Sequence, residues 1–386
     1  MNILLHFLAV ATMAVAVSVQ AANDLGLLSD EFNHGPTITN WQRIHEVEGW
    51  GNDVLQGFDI NTTRPGCLFM MPYSSTWYGE SRGELTFKYV TGDFVVTTEV
   101  QTSGRGGAGA PQSDYSLAGI MIRTPRSMTN VVDWVAGGQN YVFLSLGSAS
   151  SPGSYQFEVK TTVDSVSTLN ISDGAPSRAM IQIARLGPHI ITLQRSPGGS
   201  WQVHQRYFRP DMPTRLQVGL TTYTDWQACS AVGYANQNTH VLTNGARMSD
   251  GAIVSGANPD LMAAFEYVRY CRPQIPTHLV DAKFSDPSLV ADWQLLAFLG
   301  AKANVAFAPP PRLAVAPDEA GGVAQAQGVG IRAEAVAGLS CVLQSTTNLT
   351  SWTSVLSFPG AGVATELVES VSPPAPLRFY RVLVNP

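Results

Sequence analysis

From Leu85 onward the chain is a succession of short runs rich in Val, Ile, Thr, Tyr and Phe, each closed by turn residues. They read "ELTFKYV", "DFVVTTEVQT", "SLAGIMIR", "NYVFLSLG", "YQFEVKTTV", "AMIQIARLG", "HIITLQRS", "WQVHQRYF", "RLQVGLTTY" and "MAAFEYVRY". Signals such as "TGD", "SPGS", "SPGGS" and "RPDMP" separate them. β-Branched and aromatic side chains suit a pleated surface, whereas Gly, Pro and Asp punctuate it. Many short strands at near-even spacing predict an all-β fold, a sandwich or a barrel. "HIITLQRSPGGSWQVHQRYF" reads as a hairpin with Pro197, Gly198 and Gly199 at its turn.

Strand alternation assigns faces. In "FVVTTEV", Phe94, Val96, Thr98 and Val100 share one face and Val95, Thr97 and Glu99 the other. In "AGIMIR", Ala118, Ile120 and Ile122 oppose Gly119, Met121 and Arg123. The first set of each is the core side. Glu99 and Arg123 are then expected on the polar, concave face of neighbouring strands. There they form either a cross-strand ion pair or the floor of a binding groove.

Charged residues make up 13% of the 386, against roughly 25% in an average soluble protein. The net charge is −6 with no Lys/Arg cluster, so the basic footprint of a nucleic-acid binder is missing. Residues 1–22 carry the apolar run "ILLHFLAVATMAVAVSV" followed by "QAAND". This reads as a secretory signal peptide cut after Ala21 or Ala22. No later segment has the apolar length of a membrane span. The mature chain is expected to be exported, as a secreted, cell-surface or periplasmic protein. Export permits disulfides, and Cys229–Cys271 is the expected bridge, with buried free thiols as the alternative.

A break follows Cys271. The expected organisation is a large β domain over 23–272, a linker with a short helix over 273–312, and a small β unit over 313–386. "SDPSLVADWQLLAFLGAKA" carries the helix, with Ser285 or Asp286 as its cap, Pro287 at its first position and Gly300 at its end. "APPP" (308–311) is a stiff connection.

The segment from Leu28 to about Arg272 resembles the concanavalin A-like lectin and glucanase superfamily. "SDEFNHGPTITNWQRI" is similar to the opening of many such domains, where an Asp-Asp/Glu-Phe element leads to a Trp. "GDFVVTTEVQT", "SLAGIMIR", "QVGLTTYT" and "AFEYVRY" follow in the usual order. Ala264-Phe265-Glu266-Tyr267-Val268 stands where the family has an A-x-F-D-x-V strand. The resemblance implies a concanavalin A-like jelly-roll sandwich. Its members include lectin-like and laminin-G-like binding modules, accessory domains of β-xylosidases, and endoglucanases, so it implies a fold rather than one activity. Many of these sandwiches hold a structural Ca²⁺ through loop carboxylates. Asp30, Glu31 and Glu266 are the expected ligands here, with solvated or hydrogen-bonded acids as the alternative. No other cofactor is expected. "GLSCVLQSTTNLTSWTSV" and "LRFYRVLVNP" resemble a small β-sandwich module found at the ends of many exported bacterial proteins, with Cys341 near its usual core aromatic.

The catalytic motif of the laminarinase-type members, E-x-D-x-x-E, is absent. "ESRGE" (Glu80, Glu84) lacks the middle acid and "EVE" (Glu46, Glu48) the third, and both are read as solvated charge pairs. There is no G-x-S-x-G elbow, and His189, His204 and His240 are isolated. No H-E-x-x-H or paired His spacing supports a catalytic metal, and no catalytic residue is assigned. The aromatics carry the binding signal. Sugar rings present apolar C–H faces to Trp and Tyr, and their hydroxyls bond polar side chains. Tyr73, Trp77 and Tyr78 lie in the turn-rich "MPYSSTWYGESRG"; Trp134 follows Asp133 in a loop; Tyr223, Asp225 and Trp226 follow a strand. With Glu99 and Arg123 they are the expected glycan-contacting set. The reading is an exported protein that binds a polysaccharide or surface glycan. The alternatives are a glycoside hydrolase or polysaccharide lyase with a non-standard acid pair, and a surface adhesion or structural module.

Overall fold

The computed structural model describes residues 24–304, 312–316, 328–334, 340–348, 350–359, 364–370 and 379–385. The expected signal peptide and the "APPP" connection lie outside them. The first half of the large domain contributes β1 (Gln42–Arg43), β2 (Leu55–Ile60), β3 (Leu68–Pro72), β4 (Glu84–Thr91), β5 (Phe94–Ser103), β6 (Ser116–Arg123) and β7 (Tyr141–Ser148). The second half contributes β8 (Gln156–Val163), β9 (Val166–Asp173), β10 (Arg178–Leu186), β11 (His189–Arg195), β12 (Gln202–Phe208), β13 (Arg215–Tyr223) and β14 (Met262–Cys271).

These strands make two antiparallel seven-stranded sheets. The front sheet runs β1-β4-β13-β6-β7-β8-β9 and the back sheet β12-β11-β10-β5-β14-β3-β2. This is the expected all-β fold, a two-sheet sandwich. The sheets meet through the faces that alternation assigns to the core: Phe94, Val96 and Val100 of β5 pack with Ala118, Ile120 and Ile122 of β6. Burial of this apolar surface is the main stabilising term, about 25 cal/mol per Å² removed from water.

The chain crosses between the sheets from β5 to β6. Glu99 on β5 therefore belongs to the back sheet and Arg123 on β6 to the front, so the expected neighbour pair does not exist. Glu99 pairs with Arg178 instead. Alternation gives the right face for each residue, but it cannot tell which sheet a strand joins.

Neither outer face is simply solvent. The back sheet is covered by the segment expected to be a linker. Leu279, Phe284, Val290, Leu295, Phe298 and Leu299 pack on Val95, Ala184, Ile191 and Leu193. The helix within it spans Asp292–Asn304, with Gly300 inside it. Asp286, an expected cap, instead turns the chain one step earlier: Ser288 N and Ser288 Oγ donate to its carboxylate at 2.9 and 2.6 Å. All four cysteines are buried and none forms a disulfide. Cys271 lies under the 273–300 cover, whereas Cys229 lies in a separate small cluster with Leu242, Met248 and Val254. The expected bridge joins two cores and is not formed.

In the C-terminal region the described strands make two antiparallel three-stranded sheets. One holds Arg312–Ala316, Gly328–Glu334 and Ala364–Ser370; the other holds Ser340–Thr346, Thr353–Pro359 and Phe379–Asn385. Cys341 is buried there with Leu343 and Phe358. Among the described residues no helix is long and apolar enough to cross a membrane.

Several strand glycines are approached closely by backbone, and Gly219 offers a test. Gly219 on β13 faces outward between β4 and β6. A methyl there would meet Thr86 O at 2.0 Å and Phe87 Cα at 2.5 Å, which are backbone atoms that cannot swing aside. Gly219→Ala is expected to lower stability by about 3 kcal/mol. Urea unfolding followed by circular dichroism checks this, and an unchanged midpoint would mean that the β4–β13 spacing yields without loss.

Candidate functional site

The front sheet's outer face carries a second, mixed core. Leu85 and Phe87 (β4), Leu117 and Met121 (β6), Tyr141 and Phe143 (β7) and Tyr223 (β13) cluster there with Ile44 and Trp77. Three segments supply the cover. The first is α1 (Ile44–Val47) with residues 48–54, the second is the loop 73–83, and the third is the insertion 224–261. The insertion begins with α2 (Trp226–Thr239), which is kinked at Gly233.

Covering a polar sheet face obliges every buried charge to find a partner. Arg123 is fully buried. Its Nη1 donates to Glu48 Oε1 at 2.6 Å and Gln217 Oε1 at 2.8 Å, and its Nε to Gln139 Oε1 at 2.9 Å. Glu48 also accepts from Trp50 Nε1 at 3.0 Å. The acids Glu48 and Glu84, expected to be solvated, are instead both buried. Arg123 is therefore not a groove floor, because the cover closes over it. Trp77, expected as a loop aromatic, is fully buried too. Its Nε1 donates to Glu84 O at 3.2 Å and its ring meets Tyr141 edge-on at 5.5 Å.

The cover is held at its root by Asp225. This residue is left-handed (φ 68°), a conformation Asp tolerates better than most. Its carboxylate caps α2 through Ala228 N at 3.4 Å and accepts from Ser74 Oγ at 2.5 Å and Asn258 N at 2.7 Å. It is a structural anchor rather than an exposed ligand contact. The far end of α2 is tied to the 73–83 loop: Arg82 N donates to Asn238 Oδ1 at 2.8 Å and Gln237 Nε2 to Arg82 O at 2.6 Å.

This cover contains a cavity of about 190 Å³ lined by Thr76, Tyr78, Tyr115, Lys160, Leu169 and Trp226. Three aromatic rings from three segments wall it. Tyr78 meets Trp226 edge-on at 5.1 Å, and Tyr115 meets the same indole at 6.5 Å. Lys160 on β8 reaches it from below: its Nζ donates to Trp77 O at 2.8 Å and lies 2.9 Å from Glu158 Oε1. Its Nζ also lies 5.4 Å from the Tyr78 ring centre and 5.6 Å from that of Tyr223. Glu158 is fully buried, with Lys160 as its cation. Burial, then the charge of Glu158, push the Tyr115 phenol upward, so it stays protonated at neutral pH.

Of the expected contacts, Tyr78 and Trp226 meet at this cavity and Tyr223 lies buried beneath it. Trp134 does not reach it. Trp134 follows β6 and is not among the cavity-lining residues. Trp134 packs instead against Arg126 (3.9 Å) and Trp50 (5.0 Å). Tyr73 follows β3, its backbone N bonded to Val54 O at 2.8 Å, and does not line the cavity. Sequence reasoning missed Tyr115, Glu158 and Lys160. The signal was present in "YQFEVKTTV", where Gln156, Glu158, Lys160 and Thr162 share one face opposite Phe157 and Val159.

The acids expected to bind calcium are each engaged by protein donors. Asp30 bridges to Val268 and accepts from Phe32 N at 2.9 Å and Trp41 Nε1 at 3.2 Å. Glu31 forms a two-point pair with Arg269, at 2.8 and 2.7 Å, and Glu266 pairs with Arg178 at 2.9 Å.

No protein-family model matches the sequence, and comparison with curated proteins gives no match. Similar solved structures include a functionally unknown protein from Saccharomyces cerevisiae (TM-score 0.41, 11% identity, covering 61% of this chain and 98% of that one). The GH43 protein BlXynB from Bacillus licheniformis is another (0.39, 12%, 63% and 39%). A third is lectin I from Ulex europaeus (0.30, 8%, 60% and 96%).

The buried pair gives a direct test. Arg123→Ala leaves Glu48 without its cation and is expected to cost about 3–5 kcal/mol. Arg123→Met combined with Glu48→Leu is expected to lose clearly less than the sum of the two single changes. Denaturant unfolding of Arg123→Met, Glu48→Leu and their combination measures the coupling, and additive losses would show that the pair is not an energetic unit.

Proposed function

We propose that this chain is an exported glycan-binding protein whose ligand enters the cavity between Tyr78, Tyr115 and Trp226. The observation that carries this reading is the pairing of aromatic walls with a lysine held at the base. Aromatic faces take the apolar C–H side of a sugar ring, and the remaining N–H of Lys160 takes a ring or hydroxyl oxygen. The space is that of roughly six water molecules, which suits one pyranose unit of a longer chain. Binding is favoured over hydrolysis because a glycosidase needs two carboxyl groups facing the scissile bond. Among the described residues the cavity lining contains none.

A glycan array with the full chain identifies ligands, and calorimetry measures them. Trp226→Ala and Tyr78→Ala are expected to weaken binding at least tenfold, about 1.4 kcal/mol, with unchanged thermal unfolding and no release of reducing ends by the wild type. Retained affinity in both folded variants, or no glycan bound at all, would sink the proposal.

A further inference from the structure

A second polar cluster lies away from the cavity, at the open edge of the sandwich where β1 and β4 face β2. Arg43 sits there over the Phe58 ring at 4.5 Å. It reaches Asp53 with two bonds of 2.5 Å and Glu84 Oε1 with one of 2.9 Å. Thr86 Oγ1 gives Glu84 Oε1 a second donor at 2.9 Å. The other carboxylate oxygen, Glu84 Oε2, is buried and has no donor. Facing it at 4.0 Å is His45 Nδ1, also buried and also without a partner.

Two complementary groups left facing each other at this distance need an explanation. A hydrogen bond needs about 3 Å, and the 4.0 Å gap is too long for one. Two ligands each about 2.0–2.2 Å from a tetrahedral ion stand about 3.4 Å apart, so the pair would close by about half an ångström around one. Asp53 is the third candidate ligand: one ligand atom from each of His45, Asp53 and Glu84 lies within 4.8 Å of the others, and the three would draw together on an ion. The side chain of Asp53 is 41% exposed, which leaves an entry path and room for water at a further position.

We propose that His45, Asp53 and Glu84 bind one divalent transition-metal ion, with Zn²⁺ the best match. An imidazole with two carboxylates suits Zn²⁺ and its first-row neighbours, whereas Ca²⁺ and Mg²⁺ prefer all-oxygen sites. Arg43 then acts behind the ligands. Its guanidinium fixes the orientation of both carboxylates, the part that outer partners play in metal sites generally. The ion would join three covalently distant pieces of the edge: α1, the 51–54 turn and the start of β4.

ZnCl₂ titrated calorimetrically into the full chain is expected to give one ion per chain and to raise the melting temperature. His45→Ala is expected to weaken uptake at least tenfold, the scale of loss seen even for outer-sphere changes. Asp53→Asn is a second, more exposed variant in case the first does not fold. Co²⁺ in place of Zn²⁺ should give a ligand-field absorption band that both variants lose. No saturable Zn²⁺ uptake by the wild type would overturn the proposal, as would unchanged affinity in a folded variant.

Discussion

The polar outer face of the front sheet is buried, and the rest of the molecule is arranged around that constraint. A bare sheet face would leave Arg123, Glu158 and Lys160 to water. Once α1, the 73–83 loop and the 224–261 insertion close over them, each must find its partners inside the protein. Arg123 finds three oxygen acceptors. Lys160 finds a carbonyl and a carboxylate. The cavity is what is left where the cover meets the sheet without filling it.

This constraint also explains why the two notable sites differ in character. At the cavity the walls are aromatic and the charge is set back, which suits a neutral ligand with apolar faces. At the β1–β4 edge the atoms left facing each other without a hydrogen bond are an imidazole nitrogen and a carboxylate oxygen. Distance and atom type separate the proposed sugar site from the proposed ion site.

The two-sheet fold was legible because hydrophobic alternation is local. Phe94, Val96, Ala118, Ile120 and Ile122 announce their face from within one strand, and the structure puts them in the core. The site was legible only in part. Tyr78 and Trp226 stand out as aromatics beside turns, and they do meet. Trp77, one residue from Tyr78, points the other way into the sheet, and neighbouring positions look alike in sequence. Arg123 was assigned the correct face, yet alternation cannot show that another segment covers that face. Glu84 and His45 are 39 positions apart and share no motif, so only the closed fold could bring them together.

Asp225 gives the insertion an independence of its own. Its carboxylate binds Ser74 in the neighbouring loop and Asn258 near the insertion's far end, so the excursion is closed at its base by one side chain. Segments closed in this way tolerate changes of length, since the entropy of loop closure grows only slowly with size. The sandwich can then keep its core while the excursion, together with the cavity wall it supplies, diverges. The lining of that cavity is free to change faster than the sandwich beneath it.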